Sequence, residues 1–254
     1  MKKVYFLSDA HLGSRAIRHQ RTQERRLVNF LDAIKHNASA IYLMGDMFDF
    51  WFEYRTVVPK GYTRFLGKLS ELTDSGIEVH YFVGNHDLWM GDYLERECGV
   101  TLHREPEVVE IGDRVFYLAH GDGLGTEERG FLLLRKIFHN RICQHLFAAL
   151  HPRWGMTFGL EWAKRSRLKR EDGKEPPYQG EEKEELVRFA KGYLQTHPEI
   201  NAFVFGHRHI ELHLRIAAST DLFILGDWIG EYTYAVFDGE TMYLENFVEG
   251  ETIP

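Results

Sequence analysis

The chain has 254 residues, enough for one large domain or one domain with an insertion, built on a substantial core. It is 44% hydrophobic and 27% charged with a formal net charge of −7, ordinary globular usage that argues against a general nucleic-acid binder. No apolar stretch approaches the roughly 18 to 20 residues of a spanning helix, and only four apolar residues separate Met1-Lys2-Lys3 from Ser8, so neither a membrane span nor a signal peptide is expected.

Residues 4–7 read as a buried strand and run into Asp9-Ala10-His11. Residues 21–35 follow as an amphipathic helix with Leu27, Phe30, Leu31 and Ile34 on one face. A second strand, 41–44, leads into Gly45-Asp46-Met47-Phe48-Asp49, and a second helix, 62–74, carries Phe65, Leu66, Leu69 and Leu72. Strand 79–83 ends in Gly84-Asn85-His86-Asp87, and strand 115–119 ends in His120-Gly121-Asp122. Strand 203–205 ends in Gly206-His207-Arg208-His209, where alternation turns both imidazoles to one side. Each polar cluster therefore falls just past the carboxyl end of a strand, where open α/β sheets place their ligands. Beyond it, residues 213–217, 222–225, 234–237 and 242–247 read as short strands completing a second sheet.

The first intervals between clusters are 37, 39 and 35 residues, each suiting a strand, a helix and a return, but His120 to His207 spans 87. The extra length is an insertion. Phe131, Leu134, Ile137, Phe138, Ile142, Leu146, Phe147 and Leu150 recur at helical spacing. Pro152 interrupts, and a second stretch continues through Phe158, Trp162 and Leu168. Between Leu124 and Pro177 stand eleven Lys or Arg against six Asp or Glu, in a chain that is acidic overall. Apolar bulk with cationic heads suits either a helical hairpin packed on the parent domain or a cap for an amphiphilic anion or a membrane surface. Residues 172–180 read as a loop and 181–195 as a surface helix. Cys98 and Cys143 lie far apart with no C-x-x-C spacing, which points to reduced thiols and a cytoplasmic setting.

Two Asp, one Asn and four His at strand ends suit a centre for two divalent ions. The order D-x-H, G-D-x-x-D, G-N-H-D, H-G-D, G-H-x-H, framing residues 4–209, resembles the calcineurin-like metallophosphoesterase superfamily. The resemblance implies an α/β two-sheet sandwich flanked by helices, a single domain over residues 1–254, with a helical cap insertion at about 124–177. It implies that Asp46 bridges two ions, that Asp9, His11 and His209 complete one, and that Asn85, His120 and His207 complete the other. Mixed nitrogen and oxygen ligands favour Mn²⁺, Fe²⁺ or Zn²⁺ over Ca²⁺ or Mg²⁺, and the resemblance tips the choice to Mn²⁺. Paired ions lower the pKa of a shared water and hold the phosphoryl oxygens, so attack by a metal-held hydroxide is expected without a covalent intermediate. His86 is expected to face the phosphate as a protonated imidazole, with Asp49 holding and charging it.

Three features narrow the substrate: the insert directly after His120-Gly121-Asp122, Gly226-Asp227-Trp228 across a hairpin, and the lack of a basic nucleic-acid groove. Together they resemble the UDP-2,3-diacylglucosamine pyrophosphohydrolase family of lipid A biosynthesis. That family releases UMP and leaves 2,3-diacylglucosamine 1-phosphate, works at the inner membrane from the cytoplasmic side, and holds acyl chains in its cap. By that resemblance Asn85, His86, Glu128, Ser166, Arg170, Lys174 and His207 fall at or near substrate-contacting positions. The better-known branch carries arginine where this chain has His86. The implied partners are an amphiphilic nucleotide-sugar lipid and the cytoplasmic membrane surface, with no nucleic acid and no obligatory protein partner. A phosphoesterase for a soluble nucleotide or other phosphodiester, and a non-catalytic scaffold of the same fold, are the alternatives.

Overall fold

Strands that are apolar on both sides demand cover on both faces, and the chain meets that demand with two sheets packed face to face and helices outside them. The computed structural model describes residues 2–126, 128–168, 176–250 and 253. In chain order the first elements are β1 (Lys3–Leu7), α1 (Gln20–Ile34), β2 (Ala38–Leu43), α2 (Thr63–Asp74), β3 (Glu78–Phe82) and α3 (Tyr93–Cys98). Next come β4 (Thr101–His103), β5 (Glu107–Ile111), β6 (Arg114–Ala119), α4 (Arg129–His139), α5 (Arg141–Ala148) and α6 (Pro152–Leu168). The last are α7 (Glu185–Leu194), β7 (Ala202–Phe205), β8 (Glu211–Ala217), β9 (Thr220–Leu225), β10 (Thr233–Phe237) and β11 (Met242–Asn246).

One sheet has the order β11-β10-β1-β2-β3-β4, with β1 to β4 parallel and the β10–β11 hairpin antiparallel at one side. The other has the order β5-β6-β7-β9-β8, parallel through β6, β7 and β9. Side-chain alternation assigns each strand's two faces. In β1, Val4 and Phe6 meet Phe116, Leu118 and Val204 of the opposite sheet, while Tyr5 and Leu7 pack outward under α1 and α2. The apolar face of α1 supplies Leu27, Phe30, Leu31 and Ile34, and α2 supplies Phe65, Leu69 and Leu72. On the far side α7 covers Tyr117, Phe203 and Phe205 with Leu186, Val187 and Ala190.

The expected helices over 21–35 and 62–74 form within a residue of those bounds, whereas 181–184 make a turn before α7 begins. The C-terminal strands require a correction. Only β8 and β9 join the second sheet; β10 and β11 return to the first, because both faces of β10 are buried beside β1. There Ala235 and Phe237 fill the space between the sheets, and Tyr234 and Val236 lie under α1. The short α3, β4 and β5 have no strong sequence signal, β4 being three residues and β5 a half-exposed edge.

The long interval holds α4, α5 and α6. The first two bury no residue and α6 buries only Gly155, Gly159 and Ala163. Asn140 separates α4 from α5 by accepting hydrogen bonds from the Ile142 and Cys143 main-chain N–H groups. Gly159 lets α6 lie on the loop after β2, since a Cβ there would collide with the Phe50 ring. Trp89 Nε1 donates to the Phe138 carbonyl at 2.8 Å and Arg135 Nε to Asp122 Oδ2 at 2.8 Å, tying these helices over the strand ends. Ten of the thirteen exposed large hydrophobic side chains among the described residues lie between Leu132 and Leu168, so the apolar surface of the molecule is concentrated on this face. No helix among the described residues is long and apolar enough to cross a membrane.

Phe6 is fully buried between the sheets, stacked 5.0 Å from Tyr42 and 6.1 Å from Phe116. Phe6→Ala is expected to cost about 3 to 5 kcal/mol through the cavity it leaves. Chemical denaturation should register this as a lower midpoint with an unchanged slope.

Candidate metal centre

The five clusters do converge, and they do so from both sheets. Asp9, Asp46 and Asn85 follow β1, β2 and β3 of the first sheet; His120 follows β6, and His207 and His209 follow β7 of the second. The main chain knits these exits together: His11 N–H donates to Asp46 O at 2.9 Å, Gly206 N–H to His120 O at 2.9 Å, and Trp228 N–H to Asp9 O at 3.1 Å. Asp9, His11, Asp46 and His207 have φ of 55°, 45°, 53° and 64°, the left-handed region that non-glycine residues avoid. Such backbone costs on the order of 1 kcal/mol or more per residue and concentrates at functional sites. Gly84 is demanded by proximity, since a Cβ there would collide with the Asp46 carboxylate. Asp87 pins the same loop, accepting from Gly84 N–H at 2.7 Å and from the Tyr81 hydroxyl at 2.5 Å.

The side-chain spacing fits shared ions. Ligand atoms about 2.1 Å from one ion stand roughly 3.0 to 3.4 Å apart. His11 Nε2 is 3.2 Å from His209 Nε2, and Asp9 Oδ1 is 3.2 Å from His209 Nε2 and 3.5 Å from His11 Nε2. His120 Nε2 lies 3.5 Å from Asp46 Oδ2 and 3.3 Å from Asn85 Oδ1. Asp46 Oδ2 is also 3.7 Å from His11 Nε2, so one carboxylate stands between the two halves. Asp9 Oδ1 is buried with no hydrogen-bond partner, and two imidazole nitrogens face each other; a divalent cation satisfies both conditions. Imidazoles, carboxylates and an amide oxygen form a donor set suited to such an ion. His207 is placed by its N–H, which donates to Asp9 Oδ2 at 2.9 Å, and its ring lies 5.3 Å from that of His120.

The electrostatics keep the acids anionic. Burial works to raise Asp9 and Asp46, but the surrounding histidines outweigh it and hold both well below the usual carboxylate range. Burial likewise works to lower His209, yet Asp9 and Asp227 raise it to about 9. His207 has no comparable partner; burial and the neighbouring His120 push it down to about 4. The other nitrogens of three histidines have oxygen neighbours: His120 Nδ1 at 2.8 Å from Met44 O, His209 Nδ1 at 3.5 Å from Asp227 Oδ2, and His11 Nδ1 at 3.5 Å from Asp49 Oδ1. Such outer contacts orient metal-binding imidazoles.

The expected pairing of His86 with the Asp49 carboxylate is not what the structure contains. His86 Nδ1 instead faces the Asp49 main-chain carbonyl at 2.9 Å, and the carboxylate turns to His11 and to Arg167 Nη2 at 3.1 Å. The expected protonated imidazole is also disfavoured, since burial lowers His86 and the Asp46 charge does not offset it. Asp227 and Arg167 are the participants that the motifs did not single out. Asp227 lies in the flagged Gly-Asp-Trp segment, while Arg167 was one more cation among many in a basic helix.

Two cavities meet here. A pocket of about 20 Å³ is lined by His11, Asp46, Asn85, His86, Ser166, Arg167, His207 and His209. A larger cavity of about 300 Å³ extends under α4 to α6, walled by Leu134, Phe138, Phe147, Phe158, Trp162 and Ala163. Asn85, His86 and Ser166 line both, so the charged pocket adjoins the apolar one. Glu128, at the start of α4, is exposed and lines neither. Arg170 and Lys174 lie outside the described residues.

Comparison with known proteins places the chain in a family. A family model described as calcineurin-like phosphoesterase matches residues 2–211. The UDP-2,3-diacylglucosamine hydrolase of Porphyromonas gingivalis is 46% identical, over 98% of this chain and 99% of its own. The protein of that name from Neisseria meningitidis serogroup B is 28% identical, over 91% of this chain and 92% of its own. Among solved structures, Yfce, a phosphoesterase from E. coli, aligns with a TM-score of 0.45 at 14% identity, covering 94% of this chain and 90% of that one. The chain belongs to the calcineurin-like phosphoesterase family.

Proposed function

We propose that this chain hydrolyses the pyrophosphate linkage of UDP-2,3-diacylglucosamine, releasing UMP and 2,3-diacylglucosamine 1-phosphate. The observation that carries this reading is the adjacency of the two cavities: a cluster of anionic and imidazole side chains shares Asn85, His86 and Ser166 with the lining of an apolar cavity of about 300 Å³. A soluble nucleotide gives no reason for Phe138, Phe147, Phe158 and Trp162 to line that space, whereas acyl chains do, at about 0.8 kcal/mol per buried methylene. The 46% identical relative bears the name of a hydrolase for this substrate, which supports the same reading.

In this proposal Asp46 would hold two divalent ions, with Asp9, His11 and His209 completing one site and Asn85, His120 and His207 completing the other. Bound ions of this kind stabilise phosphoryl oxygens and activate water. Mn²⁺ is the proposed metal. Asp49 and Asp227 keep His11 and His209 oriented, and the Asp49 carbonyl orients His86 by accepting from Nδ1, which places the imidazole in the pocket wall beside the reacting phosphoryl group. The exposed hydrophobic side chains of α4 to α6, with Arg129, Lys136 and Arg141 among them, support docking of this face on the cytoplasmic membrane surface, a peripheral and cytoplasmic placement. Helices α4 to α6, within the insertion at about 124–177, then act as the cap.

Mass spectrometry of products from UDP-2,3-diacylglucosamine, beside colorimetric assay of bis-p-nitrophenyl phosphate, tests the substrate. Turnover of the diester alone would sink the lipid reading. Asp46→Ala is expected to abolish activity and empty both metal sites; elemental analysis still finding two ions per chain would remove Asp46 from its bridging role. His86→Ala should lower kcat by roughly 10² to 10⁴ with metal content unchanged, and lost metal would make His86 a ligand instead. Ala163→Phe, which fills the apolar cavity, should raise KM for the diacylated substrate at least tenfold and leave diester hydrolysis intact. Equal losses on both substrates would show that the cavity is structural.

A further inference from the structure

The metal pocket is walled mainly by residues from the strand ends, but α6 contributes a cation to it. Arg167, in the last turn of that helix, lines the pocket beside Asp46, Asn85 and His207. Its side chain is only 13% exposed, and Asp49 satisfies one edge of it: Nη2 donates to Asp49 Oδ1 at 3.1 Å. Nε is buried and has no acceptor. A charged N–H withdrawn from water without a partner is strongly unfavourable, so a guanidinium held in this pose is short of one anionic oxygen. The pocket, at about 20 Å³, has no room for a large group and is lined by the very residues that gather around the proposed ions.

We propose that Arg167 is a phosphate-contacting residue: Nη2 remains on Asp49 while the Nε edge donates to an oxygen of the phosphoryl group bound over the metal centre. This rests on the phosphoester reading of the pocket but not on the identity of the lipid. Arginine suits the task because its planar fork presents separate donors to two acceptors at fixed angles, which a lysine cannot do. The same Asp49 carboxylate lies 3.5 Å from His11 Nδ1, so the guanidinium is positioned relative to the ligand set by one intervening residue. Since Arg167 comes from α6, the helix that also walls the apolar cavity with Phe158 and Trp162, the contact couples seating of the lipid to seating of the phosphate.

A simple tether holding α6 down would use the Asp49 bond alone and would leave anion binding untouched. Calorimetric titration of the metal-loaded protein with inorganic phosphate separates the two. Arg167→Met is expected to weaken phosphate binding roughly 10- to 100-fold, the worth of a charge-assisted hydrogen bond, with two ions per chain retained. Arg167→Gln keeps a donor for Asp49 without the charge and should show the same loss, while Arg167→Lys should recover part of it. An unchanged phosphate Kd in the Met or Gln variant that still holds its metals overturns the proposal, as does a wild-type protein that binds metals but no phosphate. Because the titration needs no turnover, a protein that binds phosphate through Arg167 yet leaves UDP-2,3-diacylglucosamine intact would refute the substrate reading and uphold this one.

Discussion

Two carboxylates removed from water at the point where both sheets end are the constraint around which this molecule is arranged. Asp9 and Asp46 are almost completely buried and anionic, each facing histidines and main-chain N–H groups rather than a lysine or arginine. Burying such charges is affordable only with close compensation. The surrounding features follow from that need: tight left-handed exits after β1, β2 and β7, a glycine beside the Asp46 carboxylate, and imidazoles converging on the acids' remaining lone pairs.

The parts legible in the sequence were those with strong periodicity or short-range spacing. Strands β1, β2, β3, β6 and β7 are mainly apolar runs because both of their faces are largely covered, and each stops at a cluster of polar residues. α1 and α2 show a clean apolar stripe. The destination of β10 and β11 was not legible, since a short apolar strand carries no information about which sheet it joins. That choice rests on Tyr234 and Phe237 fitting between α1 and the opposite sheet, a long-range matter. In the site, the seven ligand-type residues could be named from their motifs. The partner of His86 could not, because Asp49 offers both a carbonyl and a carboxylate, and only the path of the chain decides which one faces the imidazole.

The helical insertion obeys different physics from the sandwich beneath it. The sandwich is held by buried area on every face. α4 and α5 have no buried residue and are held by aromatic contacts, of Phe138 with Trp89 and of Phe147 with Phe52 and Trp89, and by directed attachments, from Trp89 to Phe138 and from Arg135 to Asp122. Segments of that kind sit at the low end of local stability. A cavity roofed in this way can admit a long flexible substrate without disturbing the strands, while the rigid floor keeps the polar groups in register.

The division of the ligand set between two sheets has a consequence for cohesion. Asp9, His11, Asp46 and Asn85 belong to one layer; His120, His207 and His209 belong to the other. Under the proposed assignment each cation takes ligands from both layers, and so acts as a rivet through the sandwich. A chelator would then do more than halt turnover: it would release the shear restraint at one end of the interface. The melting temperature should consequently track the free metal concentration logarithmically, as any ligand confined to the native state requires. The opposite ends of the strands, near Lys3 and Arg114, lie away from the proposed ions and are joined across the sheets by the packing of residues such as Val4, Phe116 and Phe237, with Arg114 over the Phe237 ring.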